Sequence, residues 1–245
     1  GGADNNLAEI QRAPNAASNF SFHKLDITDD YRQLVPILEG SDAVFLLAAQ
    51  VAVTTSVEGP LHDFKVNAQG SIHVLEAVRA TKSKPICVYS STNKVYGHLD
   101  LPGMRAEGTR YVADISARGI AETQPLDFYS PYGCSKGAAD CYFLDYARIY
   151  GLKTVVARQS CIYGEYQYGI EDQGWIAWML IASLLGRDIK VFGDGKQVRD
   201  ALHVEDLVRF YMTVMEHPPF TKDYHDPAKR SIGNSISILF SDDTP

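Results

Sequence analysis

The chain has 245 residues, 45% of them hydrophobic and 11% aromatic, and a formal charge of −7. That suits one globular domain with a sizeable core, alone or with a small appended lobe, and it offers no basic surface for nucleic acid. The longest nearly pure apolar run, 175–185, is too short to span a bilayer, and no signal-peptide pattern is visible. The four cysteines, at 87, 134, 141 and 161, make no Cys-x-x-Cys pair, so free thiols in a reducing compartment are expected, and no metal centre.

Residues 1–19 are polar and turn-rich, with a short helical possibility around 6–12. Residues 20–27 alternate like a strand, and Thr28 and Asp29 can cap a helix that Gly40 stops. The apolar run 43–49 reads as a strand buried on both faces. A helix over 59–80 should turn Phe64, Ile72, Leu75 and Val78 inward. Residues 85–90 form the next buried strand and run directly into Ser91-Thr92-Asn93-Lys94. The stretch 98–128 is weakly patterned, and a loop of that length inside a domain is usually functional or an insertion. A helix then runs from Pro131, in its first turn, to Tyr150, with Gly151 as the stop. A strand over 153–160, a helix over 173–186, a strand over 189–192 and a helix over 204–216 follow. Beyond Pro218-Pro219 no closing element is expected. The alternation predicts an α/β, Rossmann-like doubly wound parallel sheet, with a nucleotide-binding domain over 1–165 and part of a small substrate lobe over 166–245.

Ligands bind such folds at the carboxyl ends of the strands. Three signals fall there. Ala48, Ala49 and Gln50 end one strand with small residues that let a ligand approach the backbone. Ser90, Ser91 and Thr92 end the next with hydroxyls able to bond a substrate oxygen, although a Ser/Thr turn explains them equally well. Tyr132 and Lys136 begin the following helix, four apart and so on one face. A phenol is a poor base at neutral pH, and an adjacent ammonium favours its ionised form. Alone, the pair is common on solvated helices; hydroxyl, phenol and ammonium in that order are far more specific.

With Asp26-Ile27, Leu47-Ala48-Ala49, Asn67, Val95-Tyr96-Gly97, Arg158 followed by Tyr163-Gly164, and Arg199-Asp200 before His203-Val204, these runs resemble the extended short-chain dehydrogenase/reductases. The branch is that of the NAD-dependent nucleotide-sugar epimerases and dehydratases, and the resemblance covers roughly residues 20–216. The runs 50–56, 91–97, 130–140, 172–175 and 195–200 are most similar to members that invert C2 of a CDP-linked dideoxyhexose for lipopolysaccharide O-antigen synthesis in the cytoplasm.

The resemblance implies a bound NAD that removes a hydride from C2 and returns it on the other face. It implies Thr92, Tyr132 and Lys136 as catalytic residues, with Tyr132 exchanging the hydroxyl proton and Lys136 lowering its pKa. Asp26, Ile27, Ala48, Ala49, Gln50, Ser90, Tyr132 and Lys136 would bind the cofactor. Thr92, Asn93 and Arg199 would bind substrate, Arg199 on the diphosphate. Asn67 is read as shaping the site, and Trp175 and Trp178 as core. A homo-oligomer without nucleic-acid or membrane partners is implied as well. The dehydratase relatives carry an acid just after the hydroxyl; Thr92 is followed by Asn93 and Lys94, which favours epimerisation. The asparagine of the family's Arg-x-x-Asn-x-Tyr-Gly stretch is Cys161 here. No Gly-rich strand-to-helix turn is present, so the first βαβ unit is expected to be missing, and with it the middle of the sheet. A 4-epimerase, a reductase of the same fold, and a non-catalytic fragment remain alternatives.

Overall fold

The computed structural model describes residues 2–99, 101–114 and 119–217, and the backbone of 235–239. In chain order the elements begin with α1 (Gly2–Arg12), α2 (Ala16–Asn19), α3 (Val35–Leu38) and β1 (Ala43–Leu46). Next come α4 (Val53–Glu58), α5 (Pro60–Phe64), a π-helical turn (Lys65–Gln69), α6 (Gly70–Ala80) and β2 (Ile86–Thr92). A hairpin, β3 (Arg105–Glu107) and β4 (Arg110–Val112), precedes α7 (Ser130–Tyr150), β5 (Thr154–Gln159) and β6 (Cys161–Tyr163). The chain continues through α8 (Trp175–Leu184), β7 (Ala201–His203), α9 (Val204–Glu216) and β8 (Ser235–Leu239).

A parallel sheet in the order β1-β2-β5-β8 forms the centre. Residues 87–89 of β2 and 154–157 of β5 are fully buried, as the unbroken apolar runs predict. One face of the sheet packs against α6 and α7, where the rings of Tyr89 and Phe143 stack 4.6 Å apart beside Leu75, Val78 and Val156. The other face packs Ile86, Val88 and Val155 against Leu207, Tyr211 and Val214 of α9 and Leu202 of β7. The sheet therefore has helices on both sides, the expected doubly wound arrangement. A smaller pair, β6 with β7, joins the end of β5 to the start of α9.

Several sequence expectations fail where a segment needs a neighbour to become regular. Residues 20–27 run without a strand ladder, since no strand among the described residues lies beside them. The expected helix after Thr28 breaks into a 3-10 turn (Tyr31–Gln33) and the short α3, with Pro36 in the first turn of α3. β1 stops at Leu46 and is an outer strand of the described sheet; Phe45 is 37% and Leu47 57% exposed, so burial on both faces does not hold. Phe64 points outward, because α5 meets α7 through Asp63 instead. Residues 189–192 pair with no strand among the described residues, and Val191 and Phe192 are exposed. Trp175 is exposed and Trp178 half-buried, so neither is core; Ala182 is the fully buried residue of α8. In the other direction, 235–239 closes the sheet against β5, although no closing element was expected; its Ser-Ile-Ser-Ile alternation was the available signal.

Candidate active site

The site is built at the junction of β2 and α7. Helix α7 begins at Ser130, a non-glycine residue at φ 68° whose hydroxyl accepts from the Gly133 amide at 3.2 Å. Buried Ser56 of α4 accepts from the Tyr132 amide at 3.2 Å, so two of the helix's otherwise unpaired N–H groups have side-chain partners. Gly151 ends the helix in the left-handed region at φ 68°. This fixes the turn that carries Tyr132 and Lys136.

Lys136 is 3% exposed and donates to the Ser90 carbonyl at 2.6 Å, with its ammonium 4.4 Å from the centre of the Tyr89 ring. Burial pulls its pKa down to about 7, against the attraction of Asp140 and Asp63. Tyr132 is half-buried. Burial raises its pKa, a hydrogen bond with the Thr92 side chain lowers it, and Asp63 raises it again. The expectation that Lys136 holds the phenol below its ordinary value is not met in this structure: desolvation dominates both groups.

The three hydroxyls of β2 do not form one row. Strand alternation turns Ser91 toward α7, where it donates to Asp140 at 2.7 Å. Ser90 bonds Gln159 at 3.0 Å, and Gln159 in turn bonds Tyr211 of α9 at 2.6 Å. Thr92, at the carboxyl end of the strand, accepts from the Lys94 amide at 3.2 Å and caps the 3-10 turn Asn93–Tyr96. The Ser/Thr-turn reading therefore holds for Thr92, whose hydroxyl also lies beside the Tyr132 phenol. Asn93 is half-buried at that turn. Gly97 follows at φ 60°, where a Cβ would stand 1.9 Å from the Asp127 carbonyl oxygen, so only glycine fits.

Beyond β1, the residues expected to line a cofactor path have a defined backbone. Asn67 accepts from the Gln50 amide at 2.9 Å and donates to the Gln50 carbonyl at 3.0 Å, which clamps that residue from both sides. Asn67 thus shapes the site, as the sequence suggested. It does so from the π-helical turn, an irregularity that recurs at functional sites. Ala48 is exposed and Ala49 half-buried. The Gln50 amide oxygen is buried and has no donor among the described residues. Asp26 is exposed and accepts from the Thr28 amide at 2.8 Å, a bond that lowers its pKa. Half-buried Ile27 packs on Gly70 at the start of α6. Arg199 is not drawn into this cluster: it is exposed, two residues before β7, and its guanidinium bonds the carbonyl of Val198 at 3.0 Å.

Two carboxylates passed over in the sequence are central here. Asp140 is fully buried and takes a bidentate pair from Arg158, with both bonds at 2.9 Å. Tyr96 accepts from the same guanidinium at 2.9 Å. Burial opposes the charge on Arg158, and these bonds outweigh it and raise its pKa. Asp63, 1% exposed, accepts from Ser135 at 2.5 Å and from Asn67 at 3.1 Å. The signal was their spacing: Asp140 lies one helical turn after Lys136, and Asp63 one turn before Asn67.

The model of the NAD dependent epimerase/dehydratase family matches residues 3–226. The chain belongs to that family. It is 41% identical to the CDP-paratose 2-epimerase of Salmonella typhi over 97% of its own length and 71% of that protein's. Among solved structures it is similar to the dTDP-glucose 4,6-dehydratase of Streptomyces venezuelae with NAD bound, at a TM-score of 0.73 and 26% identity over 97% of this chain. It is similar also to the UDP-glucose 4-epimerase of Thermotoga maritima with UDP-glucose, at 0.66 and 29% over 89% of this chain. The chain spans 62% of the length of each of these two structures. Among the described residues no helix is long and apolar enough to cross a membrane.

Proposed function

We propose that this chain is an NAD-dependent nucleotide-sugar epimerase that inverts C2 of a CDP-linked dideoxyhexose. The observation that carries the reaction type is the constellation at the end of β2: the Thr92 hydroxyl beside the Tyr132 phenol, with buried Lys136 one turn further along α7. The choice of C2 and of the CDP-sugar rests on the 41% identity to the Salmonella enzyme.

The described residues fit the cofactor. The unpartnered Gln50 amide oxygen is an acceptor awaiting a hydroxyl or amide donor, and the small Ala48 and Ala49 beside it leave the backbone approachable. Asp26 and Ile27 would meet the adenine end, and Ser90, Tyr132 and Lys136 the nicotinamide ribose. NAD, when bound, supplies the acceptor and donor of the hydride. Tyr132 takes the C2 hydroxyl proton and later returns it. Burial makes the phenol a poor acid, and the Thr92 hydroxyl is the neighbour that favours its ionised form. Thr92 orients the reacting oxygen, Asn93 contacts the sugar, and Arg199 swings from Val198 to the diphosphate. Thr92 is followed by amide and ammonium side chains with no carboxylate, which suits inversion without loss of water.

The division at residue 165 belongs to the same proposal, with the second unit interleaved through Leu202, Leu207 and Tyr211 in the sheet's core. So does a homo-oligomer: Leu61 and Phe64 of α5 and Ile149 and Tyr150 of α7 are exposed apolar surface that a second copy would cover. A reducing, cytoplasmic setting suits the four free thiols, of which Cys87 is fully buried and pushed up to about 12.

The test is incubation of the purified chain with NAD and CDP-paratose, followed by proton NMR of the sugar ring. Inversion at C2 with no net change in nicotinamide redox state is expected. Net oxidation of added reduced cofactor would replace the reading with a reductase. Turnover of UDP-glucose without turnover of CDP-paratose would make it a 4-epimerase, and the absence of both would withdraw catalysis from this chain.

A further inference from the structure

Among the described residues, the fully buried charged side chains are Asp63, Lys136, Asp140 and Arg158. Two are positive and two negative, and all meet at α7: Lys136 and Asp140 lie on it, Asp63 reaches it from α5, and Arg158 from β5. Such charges are tolerated in an interior only when each is matched. Asp140 and Arg158 match each other through their bidentate pair. Lys136 and Asp63 are then left. The hydrogen-bond partner of Lys136 is a neutral carbonyl, and those of Asp63 are the neutral hydroxyl of Ser135 and amide of Asn67. No ion pair to Asp63 occurs among the described residues.

An asparagine at position 63 could accept from Asn67 through its one oxygen and donate its amide to the Ser135 hydroxyl in the reverse sense, and it would avoid the cost of burying a charge. What the carboxylate adds is a negative charge, lodged against Ser135, the residue between the Tyr132 turn and Lys136. We propose that Asp63 is a positioning residue of this site: its buried charge balances the Lys136 ammonium, and its bonds tie the Tyr132–Lys136 turn to the Asn67 clamp on Gln50. The catalytic importance of that ammonium rests on the epimerase reading; the charge balance does not. The linkage is a chain of named contacts, from Gln50 to Asn67, to Asp63, to Ser135, and on to the Tyr132 carbonyl, which accepts from Ser135 at 3.2 Å. The groups facing Lys136 are Tyr89 and the Ser90 carbonyl from β2, Asp63 from α5, and Tyr132 and Asp140 on its own helix, with Arg158 from β5 engaged on Asp140. Desolvation of the ammonium is opposed by the attraction of Asp140 and, after it, of Asp63, which is consistent with this balance.

The test reads the charge of Lys136 directly. Protein carrying 13C-labelled lysine is titrated by NMR, and the Lys136 Cε resonance is assigned by its loss in Lys136→Arg. In Asp63→Asn, which can hold both neighbours with the Ser135 bond reversed, the midpoint should fall by about one pH unit. In Ser135→Ala, which removes the hydroxyl's bonds to Asp63, Asn67 and the Tyr132 carbonyl and keeps the charge, it should stay near the parent value. An unchanged midpoint in Asp63→Asn, or an equal fall in Ser135→Ala, overturns the inference. If Asp63→Asn does not fold, the double variant with Lys136→Met restores neutrality and should fold; equal failure of the double variant also overturns it. A midpoint shift in a chain that turns over no CDP-sugar would leave the charge balance standing and remove the epimerase reading. An unshifted midpoint in an active chain would do the reverse.

Discussion

Two regions that the proposed reaction needs are built in opposite ways. Around the start of α7, Tyr132, Ser135, Lys136 and Asp140 each have a named partner on another element, and the last three are buried. Along residues 187–200, which carry Arg199, the backbone forms no strand of its own and meets β4 and β6 at single points, where the Lys196 and Asp200 carbonyls accept from the Tyr111 and Cys161 amides; Val191 and Phe192 are 63% and 73% exposed, and the guanidinium folds back on its own neighbour. In the first region the ordering cost is met during folding. In the second it falls on ligand binding. Groups that move protons have to be held within hydrogen-bond reach of one atom, whereas a cation for a diphosphate can work from an exposed, irregular segment. The contrast therefore predicts that changes near α7 act on turnover and stability, and changes near Arg199 on binding.

The largest effect is expected at the phenol. Tyr132→Phe should lower turnover by roughly 10²–10⁴-fold, the usual contribution of a positioned acid–base group. The hydroxyl beside Thr92 is lost, but the ring's packing is retained. Steady-state kinetics on CDP-paratose, with the thermal midpoint as a control, checks this; a loss of tenfold or less would remove Tyr132 from the chemistry.

Asp140→Ala should destabilise the fold by about 3–5 kcal/mol, because it leaves the Arg158 guanidinium buried without its counter-charge. Denaturant unfolding measures this. A double variant that also replaces Arg158 by Met should recover much of the loss. A single variant within about 1 kcal/mol of the parent would show that the pair is not buried in solution.

Lys136 gives a stability dependence on pH whose sign is fixed. Its folded pKa, about 7, lies below the unfolded value of about 10.4. Between these the unfolded chain holds the extra proton, so stability from this group rises with pH. Over pH 7 to 8.5 the gain should be roughly 2 kcal/mol, and it should vanish in Lys136→Met. At higher pH the raised thiol of Cys87 and phenol of Tyr89 act in the opposite direction, since there the folded state keeps protons that the unfolded chain releases. A stability curve flat from pH 7 to 8.5 would mean that Lys136 is hydrated.

What could be read from the sequence divides along the same line. The strands at 86–92 and 154–159 and helices α7 and α9 were legible because their patterns report local propensity together with burial on an element that is present. The Tyr132, Lys136 and Thr92 constellation was legible because chain order and helical spacing fix it. Residues 20–27 and 189–192 carry equally good alternation, but a strand exists only through hydrogen bonds to a neighbour, and that information lies outside the segment. Ser90, Ser91 and Thr92 look alike in sequence, yet the two-residue period of a strand sends Ser91 to Asp140 and Ser90 to Gln159. Asp63 stayed hidden because an acid on a helix is usually solvated; its importance emerges only when α5 is laid against Ser135.

The smallest predicted effect sharpens the comparison most. Arg199→Ala should raise KM for a CDP-sugar by about tenfold, about 1.4 kcal/mol, and leave kcat nearly unchanged, since the contact is made to a part of the substrate that does not react. Stability should move by less than about 0.5 kcal/mol, because the guanidinium is exposed and bonds only the Val198 carbonyl. The KM increase should shrink as salt rises, since an exposed cation meeting a diphosphate is screened. Arg199→Lys should recover part of the affinity as a point charge, but not the paired geometry of a planar guanidinium. A fall in kcat with KM unchanged would break the contrast from the other side. It would mean that the 187–200 segment closes over the sugar and helps to set the geometry at Tyr132, so that both regions act on turnover.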